Sequence, residues 1–300
     1  MSRKKLCDQS IGKVKIIMPL VMLLFFFTAS AQQADKCLSG ILFDEWVKKH
    51  PTLFEKRMQD EKQKENYKGQ KTSGVLRIIP VVFHVIHEGG SENISKAQIQ
   101  DQINILNKDL RRLNADTVNT PAPFKPLGAD CEIEFRLAQI DPNGNCTDGI
   151  VRVYSHLTNN AGDNVKALSS WDNDSYLNFW TVKSIYNFTG GGGTILGYAY
   201  YPGTAPPGAD GVIIRSDYTG SIGAIGWSNV GRTATHEVGH YLNLIHMWGD
   251  NFCGDDQVFD TPTSQGPNYG CVAYPHISCG NAPDGDLFSD YMDYSDDECM

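Results

Sequence analysis

The stretch His236–His246 reads HEVGHYLNLIH. His236 and His240 stand four apart, so on a helix their rings leave one face about a turn from each other. Two imidazoles so placed can reach a single cation at about 2.0–2.1 Å each. Glu237 is rotated about 100° round the same helix, able to face the site and take a proton from water without being a ligand. A catalytic zinc keeps three protein ligands and one open position, so a third ligand is needed. The one Glu downstream of His240 is Glu298, in the unhelical SDDECM. His246 is the other choice, but a continuous helix would carry it off on the wrong bearing. The helix must therefore stop near Leu242 and the chain must turn back. A left-handed residue does this, Gly first and Asn next, and Asn243 stands at that point.

Outward from this segment, NVGRTATHEVGHYLNLIH carries the last helix, up to the stop near Leu242. Upstream, VLRIIPVVFHVIHEG is β-branched and strand-like, with Pro80 predicting an edge or a bulge. SKAQIQDQINILNKDLRRLN carries Ile99, Ile103, Leu106 and Leu110 on a helical stripe, with Ser95 as its N-cap. CEIEFRLAQI, GIVRVYS, YLNFWTVKSI, ILGYAYYP and GVIIRS follow as five short strands, and TGGGGT at 189–194 is a turn without the Lys-Ser/Thr of a phosphate loop. From Gly249 to Met300 periodicity fades and Gly, Pro and Asp dominate. The fold class is α/β (α+β): a mixed sheet, an active-site helix and an irregular, disulfide-stapled C-terminal subdomain.

The chain of 300 residues has a formal net charge of −9, without the cationic surplus that phosphate binding needs, so nucleic acid is not expected as a partner. Lysines and arginines at the start, the apolar run IIMPLVMLLFFFTA and Ala29-Ser30-Ala31 make residues 1–31 a secretory signal. The run is short for a bilayer span and no later segment would span, so no membrane attachment is expected after cleavage. Residues 32–73 open helix-like, then turn charged from 55 to 73 with linker composition. They are assigned as pro-segment and linker, and 74–300 as the catalytic domain, which the C-terminus truncates if a final helix is missing.

Eight cysteines leave seven after cleavage of the signal, an odd number. Cys131 and Cys146 flank a strand and turn and can close a local loop. Cys253, Cys271, Cys279 and Cys299 lie in the apolar-poor tail, where two disulfides suit an exported protein. The residues alone allow three pairings. Cys37 is left over.

HEVGHYLNLIH followed by DYMDYSDDECM resembles the metzincin metallopeptidases, most nearly their pappalysin or cytophagalysin-like branch. The likeness is strongest over 225–300, and departs from the family's pattern at Asn243, where Gly is usual. It implies a metzincin-like twisted sheet, Zn2+ held by His236, His240 and His246, and Glu237 as general base. It makes Met292 the methionine of the turn beneath the metal and Tyr294 a stabiliser of the oxyanion. It implies pairings Cys253–Cys279 and Cys271–Cys299, and a pocket walled near Asp296, Asp297 and Glu298 that would favour Arg or Lys in the substrate. It also suggests structural Ca2+, for which the Gly-rich loop offers Asp250, Asp255, Asp256, Asp260 and Thr261. Cys37 in the pro-segment is a candidate latency switch, its thiolate filling the fourth metal position.

The function expected is a secreted, monomeric zinc endopeptidase acting on proteins or peptides. The substrate would add as a strand along a sheet edge, for which GVIIRS is the candidate. The alternative is a secreted binding or adhesion module with a structural metal. Glu237 separates the two, because a structural site needs no base and closes its fourth position.

Overall fold

The computed structural model describes residues 36–65, 74–188, 193–223 and 229–300, which fall in one compact unit. The expected signal, residues 66–73 of the linker and the turn at 189–192 lie outside the described residues.

In chain order come α1 (Ser39–Lys49), α2 (Pro51–Glu65), β1 (Arg77–His87), α3 (Lys96–Leu110), β2 (Ile133–Leu137), β3 (Ile150–Tyr154), α4 (Asp163–Lys166), β4 (Leu177–Val182), β5 (Gly197–Ala199), β6 (Val212–Arg215) and α5 (Arg232–Tyr241). The sheet runs β2-β1-β4-β6-β5, with β3 paired to β1 beyond β2. All pairings are parallel except β5 with β6. Parallel strands are covered on both faces, and the side-chain alternation sorts them. Val81, Phe83, Val85, Leu177, Phe179, Val212 and Ile214 point to the face where α3 and α5 pack, while Ile86, Trp180, Val182 and Ile213 point to the other. Ser95 caps α3 by accepting from the Gln98 amide at 3.1 Å.

Four expectations are corrected. β1 is central, and Pro80 is tolerated because β4 joins only from Val81 onward, so β2 alone flanks Pro80. GVIIRS is not an edge: β6 lies between β4 and β5, and the edge on that side is β5, from ILGYAYYP. The stretch from residue 55, read as linker, is helical to Glu65, because α2 is held by packing rather than by its own apolar face. Phe54 meets Phe43 of α1 at a ring separation of 6.0 Å. Cys131 and Cys146 are unpaired. Cys131 precedes β2, whereas Cys146 bridges Ile140 past its far end. At about 3.3 Å per residue the strand holds them more than 15 Å apart, beyond disulfide reach.

Cys253–Cys279 and Cys271–Cys299 are bonded as the resemblance implied. They brace the tail, which lacks helix and sheet pairing of its own apart from isolated bridges and one short 3-10 turn.

Candidate active site

α5 is fixed at both ends by chemistry outside its own sequence. At its start, Gly231 is left-handed (φ 88°) and the Asp297 carboxylate accepts from the amides of Val230 and Arg232 at 3.0 and 2.8 Å. An acid here suits the helix dipole. At its end, Asn243 has φ 83°. The Leu244 amide reaches back to Gly239 O at 2.9 Å and the Asn243 amide to His240 O at 2.9 Å. This is a Schellman stop. It turns the chain so that His246 comes back over the helix.

The three rings converge. His240 Nε2 is 3.1 Å from His236 Nε2 and 3.2 Å from His246 Nε2, and the latter two are 3.3 Å apart. Each Nδ1 faces an acceptor: Tyr291 O at 2.7 Å for His236, Leu244 O at 2.8 Å for His240 and the Asp250 carboxylate at 2.6 Å for His246. Carbonyls and carboxylates only accept, so each Nδ1 carries a proton, and in a neutral ring that leaves Nε2 with a bare lone pair turned toward the other two. Three buried lone pairs with no donor between them repel unless a cation stands there. Tetrahedral zinc with bonds of 2.0–2.1 Å would set its nitrogens about 3.3 Å apart, close to the separations seen. Burial and mutual repulsion hold the His236 pKa down at about 3 and that of His240 well below the usual value, so both are neutral and able to ligate.

Around this cage, Asp250 orients His246 in the way carboxylates steady metal-bound histidines. Trp248 stacks on the His246 ring at 4.5 Å. Met292 lies beneath, its sulfur against Gly239, where a Cβ would come within 2.3 Å of Sδ. That contact accounts for a glycine inside a helix, which costs about 0.5–1 kcal/mol relative to Ala. The Tyr294 ring centroid lies 5.6 Å from that of His236 and 5.0 Å from that of His246.

Glu237 is 1% exposed, and burial pushes its carboxyl up to about 8. It faces the edge strand, and a Cβ on Gly197 would stand 2.8 Å from its Cγ, so β5 can approach only because residue 197 is glycine. Its Oε2 accepts from Cys37 Sγ at 3.3 Å and Ser39 Oγ at 3.2 Å. Cys37 is buried, and its sulfur lies within 4.8 Å of all three histidine nitrogens. Residues 36–38 run alongside β5: Cys37 bridges Gly197 in parallel, and the Leu196 amide donates to Lys36 O at 2.7 Å. Ser39 Oγ also accepts from the Ala199 amide at 2.9 Å. Beside Glu237 and His236 a cavity of about 130 Å³ is lined by Tyr218, Asn229, Arg232, Asp296 and Asp297. The Lys36 ammonium borders it, donating to Tyr294 O at 2.9 Å and pairing with Asp296 at 3.5 Å.

The structure thus assembles His236, Glu237, His240, His246, Met292, Tyr294 and Cys37. The acidic loop behaves otherwise. Asp255 and Asp256 accept from the amides of Gln257 and Val258 in their own turn. Among the described residues the metal-capable groups are the histidine–Cys37 set and the group of Cys271, Glu298 and Cys299, so the Asp255, Asp256, Asp260 and Thr261 loop is not one of them. In the second group both cysteines are tied up in a disulfide. Asp250, grouped with that loop in the sequence, serves His246 instead. Its spacing of four from His246 was the available signal. Ser39 and Trp248 carried none.

Comparison with known proteins shows the family. The peptidase family model described as "Pregnancy-associated plasma protein-A" matches residues 159–300. An extracellular metalloprotease of Colletotrichum graminicola is 28% identical over 294 residues, 95% of this chain and 92% of that protein. Another, from Arthroderma otae, is 32% identical over 76% of this chain and 73% of its own length. Mature mirolysin of Tannerella forsythia, solved with a cleaved peptide, is 41% identical with TM-score 0.70, covering 76% of this chain and 87% of that one. A promirolysin mutant of the same organism is 37% identical with TM-score 0.77, covering 89% of each. Among the described residues no helix is long and apolar enough to cross a membrane. The chain belongs to the pappalysin family of metzincin-like zinc metalloendopeptidases.

Proposed function

We propose that this is a secreted endopeptidase in which His236, His240 and His246 hold the zinc and Glu237 is the general base. The observation that carries the reading is the convergence of three Nε2 atoms within 3.1–3.3 Å of one another beside a buried carboxylate. Zinc in this cage supplies a Lewis acid that makes water more acidic and a peptide carbonyl more electrophilic. Glu237 takes a proton from the attacking water as the oxygen bonds to the carbonyl carbon. It then delivers that proton to the amide nitrogen as the C–N bond breaks, leaving a carboxylic acid and an amine. The Tyr294 hydroxyl donates to the oxygen on which negative charge develops. Gly197–Ala199 offers the edge along which an extended substrate adds as a strand.

The lysine bordering the acidic cavity models a substrate side chain. Asp296 and Tyr294 O receive the Lys36 ammonium there, and a substrate Lys or Arg in that pocket meets the same acceptors. A random peptide library treated with the processed, zinc-loaded enzyme is expected to be cleaved with Lys or Arg enriched next to the scissile bond. A chelator should stop the cleavage and added zinc restore it. Cleavage that persists without metal would sink the zinc reading, and a profile with no basic preference would remove the pocket assignment.

Residues 1–31 direct export, and 32–73 form a pro-segment that keeps the 74–300 catalytic domain silent. With its sulfur within 4.8 Å of the three histidine nitrogens, Cys37 would serve as the fourth ligand of a bound zinc, and the cation would offset the burial and the Glu237 charge that push its thiol well above 9. The Cys37→Ala precursor is expected to gain activity severalfold faster than the unaltered chain. Equal latency in the two would rule the switch out.

A further inference from the structure

The helical hairpin that carries Cys37 is also held at a point far from the thiol. Arg57, on α2, donates through Nη1 to Pro202 O at 2.7 Å and through Nη2 to the side-chain oxygen of Asn243. These acceptors follow two elements that pack directly on each other, β5 and α5. Pro202 follows the edge strand β5, whose Gly197 abuts Glu237. Asn243 closes α5, which bears His236 and His240. The guanidinium also lies 5.4 Å over the Phe43 ring, Phe43 meets Tyr201 edge-on at 4.8 Å, and Tyr201 meets the His240 ring at 5.3 Å. A continuous stack therefore runs from Arg57 down to a histidine of the cage.

Position 243 needs a positive φ, which Gly meets at least as well as Asn. Only Asn adds an acceptor there. Only Arg has a planar fork able to serve both acceptors at once; a Lys ammonium is a point charge that would favour one. We infer that Asn243 Oδ1 and Pro202 O form a guanidinium-binding site on the catalytic domain, where α5 ends beside the chain that leaves β5, and that Arg57 in this site holds the α1–α2 hairpin closed over the metal cage. The inference rests on the pro-segment reading above, but the clasp is separate from the thiol: it acts on how often the hairpin lifts, whatever Cys37 does once closed.

The test uses the zinc-loaded full chain with Glu237→Gln to prevent self-cleavage and with Cys7→Ser, Cys131→Ser and Cys146→Ser, so that beside the two disulfides Cys37 is the one thiol left to label. Labelling of Cys37 by an aromatic disulfide reagent then reports hairpin opening. Two hydrogen bonds from a charged donor predict that Arg57→Ala speeds labelling on the order of 10- to 100-fold. Arg57→Lys should fall between it and the unaltered residue. Asn243→Gly, which preserves the turn, should speed labelling less than Arg57→Ala because the Pro202 bond survives. Adding Asn243→Gly to Arg57→Ala should bring no further increase. Labelling of Arg57→Ala within twofold of the unaltered chain, or effects that multiply fully in the double variant, would overturn the clasp. If Cys37 in the parent chain labels as fast as in denaturant, the pro-segment reading itself fails; slow labelling that ignores Arg57 removes the clasp alone.

Discussion

Glu237→Gln is expected to keep a full equivalent of zinc and lose peptide hydrolysis by a factor of about 10² to 10⁴, the span over which a positioned general base acts. The substitution is nearly isosteric. Gln still fits the cradle left by Gly197 and still offers an oxygen to the Ser39 hydroxyl. It touches none of the three Nδ1 bonds that orient the imidazoles. What it removes is the capacity to accept a proton from water and return it to the leaving nitrogen. Metal content and kcat, measured on the same processed sample, separate the two effects. Hydrolysis within tenfold of the unaltered enzyme at full zinc occupancy would mean that another group moves the proton. A joint loss of metal and activity would mean that Glu237 holds the cage together instead.

The parts of this site that short spacing governs were readable in the chain. The i, i+4 histidines, the left-handed Asn243 and the Ser95 cap each depend on residues within about six positions. The five strand candidates likewise appear where β-branched runs placed them. What was not readable depends on contacts across the fold. Cys37 meets Glu237 across 200 positions and Asp297 caps α5 across 65. No local pattern announces either. Strand order shows the same limit: VIIR and GYA are both short and apolar, and only the pairing of β6 on both sides makes β5 the edge. The Cys131–Cys146 error has the same root, because proximity was judged along the chain while an extended strand separates the two. The helicity of α2 to Glu65 came from Phe54 and Arg57 docking, which overrode a composition suited to a linker.

His246→Ala is expected to leave the protein with far less than one equivalent of zinc and no measurable hydrolysis, while Asp250→Ala keeps the ion with an affinity about 10- to 100-fold weaker. The gradation follows from what each side chain does. His236 and His240 are presented by consecutive turns of a helix and would remain aligned after either change. His246 alone arrives by way of the reversed chain, so its loss removes the ligand from the one direction α5 cannot supply. Asp250 supplies no lone pair to the cation; it fixes the ring at 2.6 Å and selects the Nε2-bare form. Without it His246 can still ligate, after paying rotational entropy and competing tautomers. Thermal unfolding gives an independent reading. A ligand that binds only the folded state stabilises it by about 2.7 kcal/mol at a concentration 100 times its dissociation constant. Added zinc should therefore raise the Tm of the unaltered protein, raise that of Asp250→Ala only at higher concentration, and leave His246→Ala unmoved. If His246→Ala binds zinc stoichiometrically and shows the same Tm increase, the reversed chain does not bring the third ligand, and the mechanism built on three histidines must be abandoned.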